Sequence, residues 1–497
     1  MNYTEYFSSL RGKNITVVGF GVSNRPFVSM LSANGANVTV RDKNEIKEDI
    51  RAEFPDVKFI TGENYLKDMT DELIFKTPGM RRDIPEFLEA ENRGSKVTSE
   101  MQLFFELCPC RIIAVTGSEG KTTTTTLIYN ILKEQGHTVF LGGNIGTPLL
   151  PRISQMKPDD IVIAELSSFQ LFDMSVSADT AVITNIVEEH LNWHTSMEEY
   201  IEAKKTVFSH QTENGKLILN ADDPLVSLFG YGKKDVIWFG ADKLSTDTES
   251  LDSVYNDGAY CPHCKSPMNY TTHHYNHIGH YECPTCGYKR HSTDYTVTSV
   301  DLDRGEAVIN GKYHISLALK SLYNIYNILA AFTVASIVGI GGDEIAADMS
   351  NYVLKNGRVI TFELGKRKGT LLTSKHENSI SYDQSIRVAV ADKRGCDVMF
   401  IVDAVSRKYF TSDVSWLWDI DFEMLNNQNI HNIVLAGKYC NDLAVRFSYT
   451  DIPKDKITII EDINKAVDYL ENDRNEYIYV ITCFSDKYKF ISRIKGE

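Results

Sequence analysis

Positive charge is in short supply. Across 497 residues, 52 lysines and arginines face 67 aspartates and glutamates, a formal net charge of −15. Nucleic acids and anionic membranes are bound by basic surfaces, so a general role on either is excluded; a local basic pocket for phosphates is not. Long apolar runs are missing too. The longest, ILAAFTVASIVGI at 328–340, is too short to cross a bilayer, reads as a buried helix and predicts no membrane insertion. The opening residues MNYTEYFSSLRGKN lack the basic-then-apolar pattern of a secretory signal. No even disulfide framework is visible. Of nine cysteines, Cys108, Cys110, Cys396, Cys440 and Cys483 are scattered, and the other four cluster in one segment. A cytoplasmic protein with reduced thiols is the economical expectation. Low-complexity tracts and internal repeats are also lacking.

What is present is an ordinary globular composition, 42% hydrophobic and 24% charged. The length predicts about three domains. NITVVGFG (14–21) reads as a strand, VSNRPFVSMLSANG (22–35) as a helix with a glycine stop, and ANVTVRD (36–42) as a second strand ending in an acid. A new series starts at RIIAVTG (111–117) and continues through HTVFLGG, DIVIAEL (160–166), TAVITNI (180–186) and GKLILNAD (215–222). A helix is expected over 321–338. VMFIVDAV (398–405), IHNIVLAG (430–437), KITIIED (456–462) and YIYVITC (477–483) form a last strand series. This alternation predicts an α/β fold of parallel sheets wrapped by helices. The expected domains are 1–108, 109–355 with an insertion at 257–292, and 356–497.

GSEGKTT (117–123) follows an apolar strand and opens a helix. Its glycines let backbone N–H groups turn toward a phosphate, and the helix terminus adds its positive dipole end. Lys121 can reach the terminal phosphates and Thr122 can hold Mg²⁺. The bland alternative is a plain glycine turn. Polar residues follow successive strands, where ligands of such sheets bind: Asn144 in GGNIGTP, Glu165 in AELSSFQL and His190 in TNIVEEHLNWH. A lone histidine past a strand is more often structural, but three polar loops beside a phosphate loop are harder to dismiss.

Together GSEGKTT, GGNIGTPL, ELSSFQL, NIVEEHLNWHTSMEEYIEAK and NADD resemble the Mur ligase family. ELSSFQL with GNIGTP is most similar to its D-glutamate-adding branch, and VVGFGVSN, VTVRD and TPGM resemble that branch's uridine-nucleotide domain. The resemblance implies three domains: a Rossmann-like substrate domain, a P-loop ATP domain and a Rossmann-like C-terminal domain. It implies an ATP-dependent, amide-forming acid–amino-acid ligase of peptidoglycan precursor synthesis, acting through an acyl phosphate on a UDP-MurNAc-type substrate. By resemblance, Gly117, Ser118, Gly120, Lys121, Thr122, Thr123, Asn327 and Arg358 would bind ATP, with Asn327 facing adenine. Thr122, Glu165, His190 and a carbamylated Lys204 would hold Mg²⁺. Lys121, His190 and Lys204 would be catalytic. Gly21, Ser23, Asp42, Thr77, Asn144, Ser167, Ser374 and Lys375 would contact substrate; for Ser167 the plainer role is a helix N-cap, for Lys204 an exposed helix lysine, and for SKHEN (374–378) a charged surface loop. The sequence departs from the family at Glu119, where the usual loop has Asn. That acid would reach the metal or point to solvent, or else mark a catalytically silent scaffold.

SLYNIYNILAA (321–331) and TSDVSWLWDIDFEML (411–425) are more similar to the family's MurT branch. There a GatD-like glutaminase partner supplies ammonia, and Asp413 would face that partner; the plainer reading has the acids of this stretch capping a helix. The segment CPHCKSPMNYTTHHYNHIGHYECPTCGYKR (261–290) carries two CxxC pairs. Cys261, Cys264, Cys283 and Cys286 fit a structural Zn²⁺ ribbon, because four thiolates leave no open position for catalysis. His263, His273, His274, His277 and His280 lie nearby as possible substitutes. The ribbon is expected to be a metal-stapled insertion with a structural or partner-facing role.

Overall fold

The computed structural model describes residues 2–21, 24–249, 257–317, 321–351, 359–374, 379–404, 413–472 and 477–495. Three sheets organise the chain. The first is parallel throughout, with strands β1 (Asn14–Val18), β2 (Asn37–Asp42), β3 (Lys58–Thr61), β4 (Leu73–Lys76) and β5 (Lys96–Thr98) in the order β3-β2-β1-β4-β5. β1 stops at Val18, three residues before the predicted end, because Gly19 takes a positive φ of 86° and starts a turn.

The second sheet contains β6 (Arg111–Thr116), β7 (Val139–Gly143), β8 (Ile161–Glu165), β9 (Thr180–Ile183), β10 (Lys216–Asn220) and β11 (Val236–Ala241). A hairpin, β12 (Asn269–Tyr275) and β13 (Ile278–Glu282), then leaves the sheet before β14 (Tyr295–Asp301), β15 (Glu306–Ile309) and β16 (Tyr313–Ser316) extend it. The order is β16-β15-β14-β11-β10-β9-β6-β8-β7, parallel except at the β14–β15 and β15–β16 pairs. β6 lies between β8 and β9, so its outgoing loop emerges where the direction of strand addition changes.

The third sheet is β17 (Val359–Leu364), β18 (Arg367–Ser374), β19 (Cys396–Ile401), β20 (Ile430–Ala436), β21 (Ile457–Ile460) and β22 (Tyr477–Cys483), ordered β17-β18-β22-β19-β20-β21. β17 and β18 form an antiparallel hairpin that ends at Ser374, and the rest of SKHEN, 375–378, lies outside the described residues. The hairpin's charges sit opposite one another, Glu363 across from Lys368, which suits an edge pair.

Burial follows these patterns. The first sheet and one face of the second share a single apolar cluster, joining Val17, Phe27, Phe75 and Phe104 to Leu149, Leu166 and Tyr200. The other face of the second sheet is covered by helix Leu322–Val338, which is buried nearly all round and so carries the apolar run expected to be internal. The third sheet has clusters of its own on its two faces.

Candidate active site

The loop between β6 and helix Lys121–Glu134 is shaped by two glycines that no other residue replaces. Gly117 has φ 146°, and a Cβ there would collide with Thr184 Oγ1; Gly120 has φ 81°, and a Cβ there would collide with Asn327 Oδ1. Lys121 Nζ donates to the carbonyls of Gly117 at 2.7 Å and Ser118 at 2.6 Å, spanning the loop. Thr122 and Thr123 follow in the first helical turn, Thr122 half-buried and Thr123 buried.

Ser118 is tied into the neighbouring loop. Its N–H donates to Asn185 O at 2.9 Å, and its hydroxyl donates to Val187 O at 2.9 Å while lying 2.8 Å from Tyr200 OH. Both of its donors are therefore used in holding the loop's shape. Glu119 does not point to solvent. It is 2% exposed, its N–H donates to Asn185 Oδ1, and its carboxylate lies 3.5 Å from Tyr323 OH.

Lys204 is not a surface lysine. On helix Met197–Ser209 it is 1% exposed, and its Nζ donates to Gly117 O at 2.8 Å, so two lysines converge on one carbonyl of the loop. Across the strand ends, Asn144 Nδ2 donates to Glu165 Oε1 at 2.9 Å, and Asn144 N–H donates to Glu165 O at 2.8 Å. Glu165 is buried, and its Oε2 has no hydrogen-bond partner among the described residues. A buried carboxylate oxygen left open at these strand ends fits a hard divalent cation. Ser167 does cap the short helix Ser168–Leu171, in a reciprocal box with Gln170.

His190 sits in a left-handed turn, φ 62°, with its ring 4.9 Å from that of Phe169 and its Nε2 3.5 Å from Glu189. The sequence reading missed its neighbour His194. That ring is buried, lies 3.0 Å from Ser168 Oγ, and is pushed down to about 4 by burial, which keeps it neutral. The only signal for it was the repeated histidine in HLNWH. The first sheet clamps this loop: Trp193 Nε1 donates to Gly79 O at 2.9 Å, and Arg81 forms a two-pronged pair with Glu199.

Of the other expected substrate residues, Gly21, Asp42 and Thr77 gather at the carboxyl ends of β1, β2 and β4. Asp42 accepts the N–H of Phe20 at 2.7 Å, and Thr77 donates its N–H to Val18 O at 3.0 Å. Ser374 is buried at the end of β18, with its hydroxyl on Ser381 O at 3.0 Å. Ser23, Arg358 and Lys375 lie outside the described residues, as does the boundary expected near 356. Asn327 packs against the loop at Gly120, and its Nδ2 lacks a partner among the described residues. Asp413 is exposed; it accepts Ser415 N–H at 2.8 Å, which holds its carboxyl below the usual range. After it come two 3₁₀ turns, Ser415–Asp419 and Phe422–Leu425, where the plainer reading had a capped helix.

The sulfur atoms of Cys261, Cys264, Cys283 and Cys286 all lie within 4.8 Å of one another, with closest pairs at 3.7 and 3.5 Å. A tetrahedron of Zn–S bonds of about 2.3 Å has edges of about 3.8 Å, so the four thiols fit zinc. A second group, Asp222, His274 and His280, is equally close. There the Asp222 carboxylate already takes Arg290, the hydroxyl of Tyr326 and the N–H of Ala241, so it reads as an ion-pair network instead.

A family profile described as Mur ligase middle domain matches residues 115–335, and one described as MurT ligase C-terminal matches residues 376–486. A UDP-N-acetylmuramoylalanine–D-glutamate ligase of Clostridium botulinum (strain 657 / Type Ba4) is 36% identical over 361 residues, 71% of this chain and 67% of that protein. The chain belongs to the Mur ligase family. Another D-glutamate ligase of that name, from Acetivibrio thermocellus, is 48% identical over 241 residues, 47% of this chain. The chain spans about half the length of that relative, 52%. In fold, this Mur ligase is similar to a pseudomurein peptide ligase type C from Methanothermus fervidus, with a TM-score of 0.63 at 21% identity over 98% of this chain and 100% of that one. No helix among the described residues is long and apolar enough to cross a membrane.

Proposed function

We propose that this Mur ligase is an ATP-dependent amide ligase of peptidoglycan precursor synthesis that adds D-glutamate to UDP-MurNAc-L-alanine. The observation that carries the reading is the convergence of Lys121 and Lys204 on Gly117, with the Asn144–Glu165 pair across the neighbouring strand ends. A substrate carboxylate oxygen attacks the γ-phosphorus of ATP, the bond to ADP breaks, and an acyl phosphate forms. The amine nitrogen then attacks the acyl carbon, loses a proton and expels phosphate. Lys121 offsets charge on the transferring group, and the loop's glycines admit the phosphates. Thr122, Glu165, His190 and Lys204 as a carbamate would hold Mg²⁺, which supplies further charge neutralisation when bound. Asn144 and Ser167 would orient the acyl group. Gly21, Asp42 and Thr77 would hold the uridine end, with Ser23, Arg358 and Lys375 assigned by resemblance alone. The three sheets support domains at 1–108, 109–355 and 356–497, in a cytoplasmic enzyme.

Phosphate release by the zinc-replete chain with ATP, Mg²⁺ and UDP-MurNAc-L-alanine tests this. Stimulation by D-glutamate, with a product heavier by one glutamyl residue, is expected, and Lys121→Ala should lower the rate by about 10²–10³. A rate indifferent to D-glutamate, or to Lys121→Ala, counts against it.

A second reading has its own support in the MurT-type C-terminal match and in the exposure of Asp413 and Trp418 within it. In it the chain activates the D-glutamate of a lipid-linked stem peptide for amidation, with ammonia from a GatD-like glutaminase partner. Ammonia-stimulated release, with D-glutamate inert, would select it.

A further inference from the structure

Cys108, Pro109 and Cys110 carry the chain from the first sheet to the second. Cys108 ends helix Glu100–Leu107, its N–H donating to Phe104 O at 2.9 Å, and Cys110 leads straight into β6, whose far end carries the phosphate loop. Cys108 leaves the helix with φ −60° and ψ 123°, and in extended chain the side chains of residues two apart lie on one side. Pro109 fixes one of the torsions between the two cysteines. Their sulfur atoms lie 3.6 Å apart. The chain beyond them is tied down: Ile112 N–H donates to Asp179 Oδ2 at 2.8 Å, and Arg111 donates to Thr180 Oγ1 at 3.0 Å.

The two thiols differ. Cys108 is half-buried and open to small solutes, whereas Cys110 is 7% exposed and packs in the apolar cluster that the first two sheets share. Hydrogen bonding to Cys110 holds the Cys108 thiol below its ordinary range, and the same contact, with burial, pushes the Cys110 thiol up. An accessible thiol that ionises readily, next to a buried one, has the make-up of an attacking and a resolving cysteine. Cys396, Cys440 and Cys483 are different: all three are buried, and burial pushes their thiols up.

We propose that Cys108 and Cys110 form a redox site that hydrogen peroxide oxidises, reversibly, to an intramolecular disulfide. The Cys108 thiolate attacks one peroxide oxygen and the O–O bond breaks. The leaving hydroxide takes up the proton that the thiol gave off and departs as water, with a sulfenic acid left on Cys108. The Cys110 sulfur then loses its proton and attacks the Cys108 sulfur. The S–O bond breaks, and the second hydroxide leaves with that proton as water. Two thiols have given up two electrons, and one peroxide has become two waters. A small dithiol reverses the change by exchange. The loop that closes is very short, so the bridge adds little to global stability. It is the exchangeable kind of disulfide, acting locally at the joint between the first two sheets. The inference does not depend on the ligase reading.

The peptide 97–111, which trypsin releases after Lys96 and Arg111, holds these two cysteines and no others. The zinc-replete full chain is treated with hydrogen peroxide, alkylated with iodoacetamide, digested and analysed by mass spectrometry. At a peroxide dose that leaves the Cys396, Cys440 and Cys483 peptides fully alkylated, peptide 97–111 is expected to lose two hydrogen atoms and take up no alkyl group. Dithiothreitol before alkylation should restore two alkyl groups. In Cys110→Ser, Cys108 should instead form an adduct with dimedone, the mark of a sulfenic acid deprived of its resolving thiol. Full alkylation of both cysteines at doses that already oxidise the three buried thiols would overturn the inference. So would passage of wild-type Cys108 to sulfinic or sulfonic acid without a bridge. A dimedone adduct as abundant in wild type as in Cys110→Ser would remove Cys110 from its resolving role and sink the proposal as well.

Discussion

Glu100 is a carboxylic acid in a place that disfavours a carboxylate. It follows the N-cap Ser99, is buried against the second sheet's neighbourhood, and accepts a single backbone hydrogen bond, from Leu150 N–H at 3.2 Å. Burial pushes its pKa up to about 7. The unfolded chain releases this proton near pH 4.5, so between about 4.5 and 7 the folded state holds more protons and loses stability as pH rises. Glu100→Gln keeps the acceptor and removes the charge. It should leave thermal stability nearly unchanged at pH 4 and raise it at pH 8, by up to about 3 kcal/mol. An equal effect at both pH values would refute the assignment, and the comparison is insensitive to Asp383, which burial also pushes up to about 7. At this scale the sequence was uneven. Lys121, Glu165 and Asn144 were legible because they follow recognisable strands directly. The burial of Lys204, the inward turn of Glu119 and the bracing role of Ser118 were not, since each depends on what Gly117, Tyr323 and Asn185 bring from elsewhere.

Among elements, the ribbon shows what spacing can and cannot disclose. Two CxxC pairs announced the four-cysteine end, whose sulfur atoms lie close together. The hairpin between them and its docking on the loop after β10 did not appear, because those contacts are tertiary: Tyr281 OH donates to Ala221 O at 3.1 Å, Tyr288 OH donates to Pro224 O at 2.6 Å, and Arg290 pairs with Asp222. The β17–β18 hairpin was hidden for another reason, since Glu363 and Lys368 on an exposed pair look like loop residues until they are seen opposite each other. The ribbon's own core is small, Cys261, Met268, Tyr281, Cys283 and Tyr288. A core of that size does not hold a fold without a staple. The purified protein is therefore expected to carry one zinc per chain, and Cys283→Ser to lose it with a fall in Tm. Full Tm in a metal-free Cys283→Ser protein would show that the hairpin is held by its docking contacts alone.

On the scale of the whole molecule, the three sheets are not three equivalent bodies. The first sheet and the second share one apolar cluster, and a buried Lys76–Asp173 ion pair and the Arg81–Glu199 pair cross the same joint. Breaking that joint exposes core, so the two sheets should unfold together. The third sheet has separate clusters, and no described residue beyond 351 belongs to those of the first two. Its junction with the second body carries two small cavities and an exposed Lys393–Asp303 pair, the kind of contact that contributes little. Calorimetry of the nucleotide-free chain is expected to give two transitions, one for residues up to about 351 and one for the remainder. A ligand bridging the junction stabilises only the closed arrangement, so saturating Mg-ATP should draw the two transitions together. A single transition without nucleotide would mean the C-terminal body is already locked in place. Separate transitions unmoved by Mg-ATP would mean the nucleotide contacts only the second body.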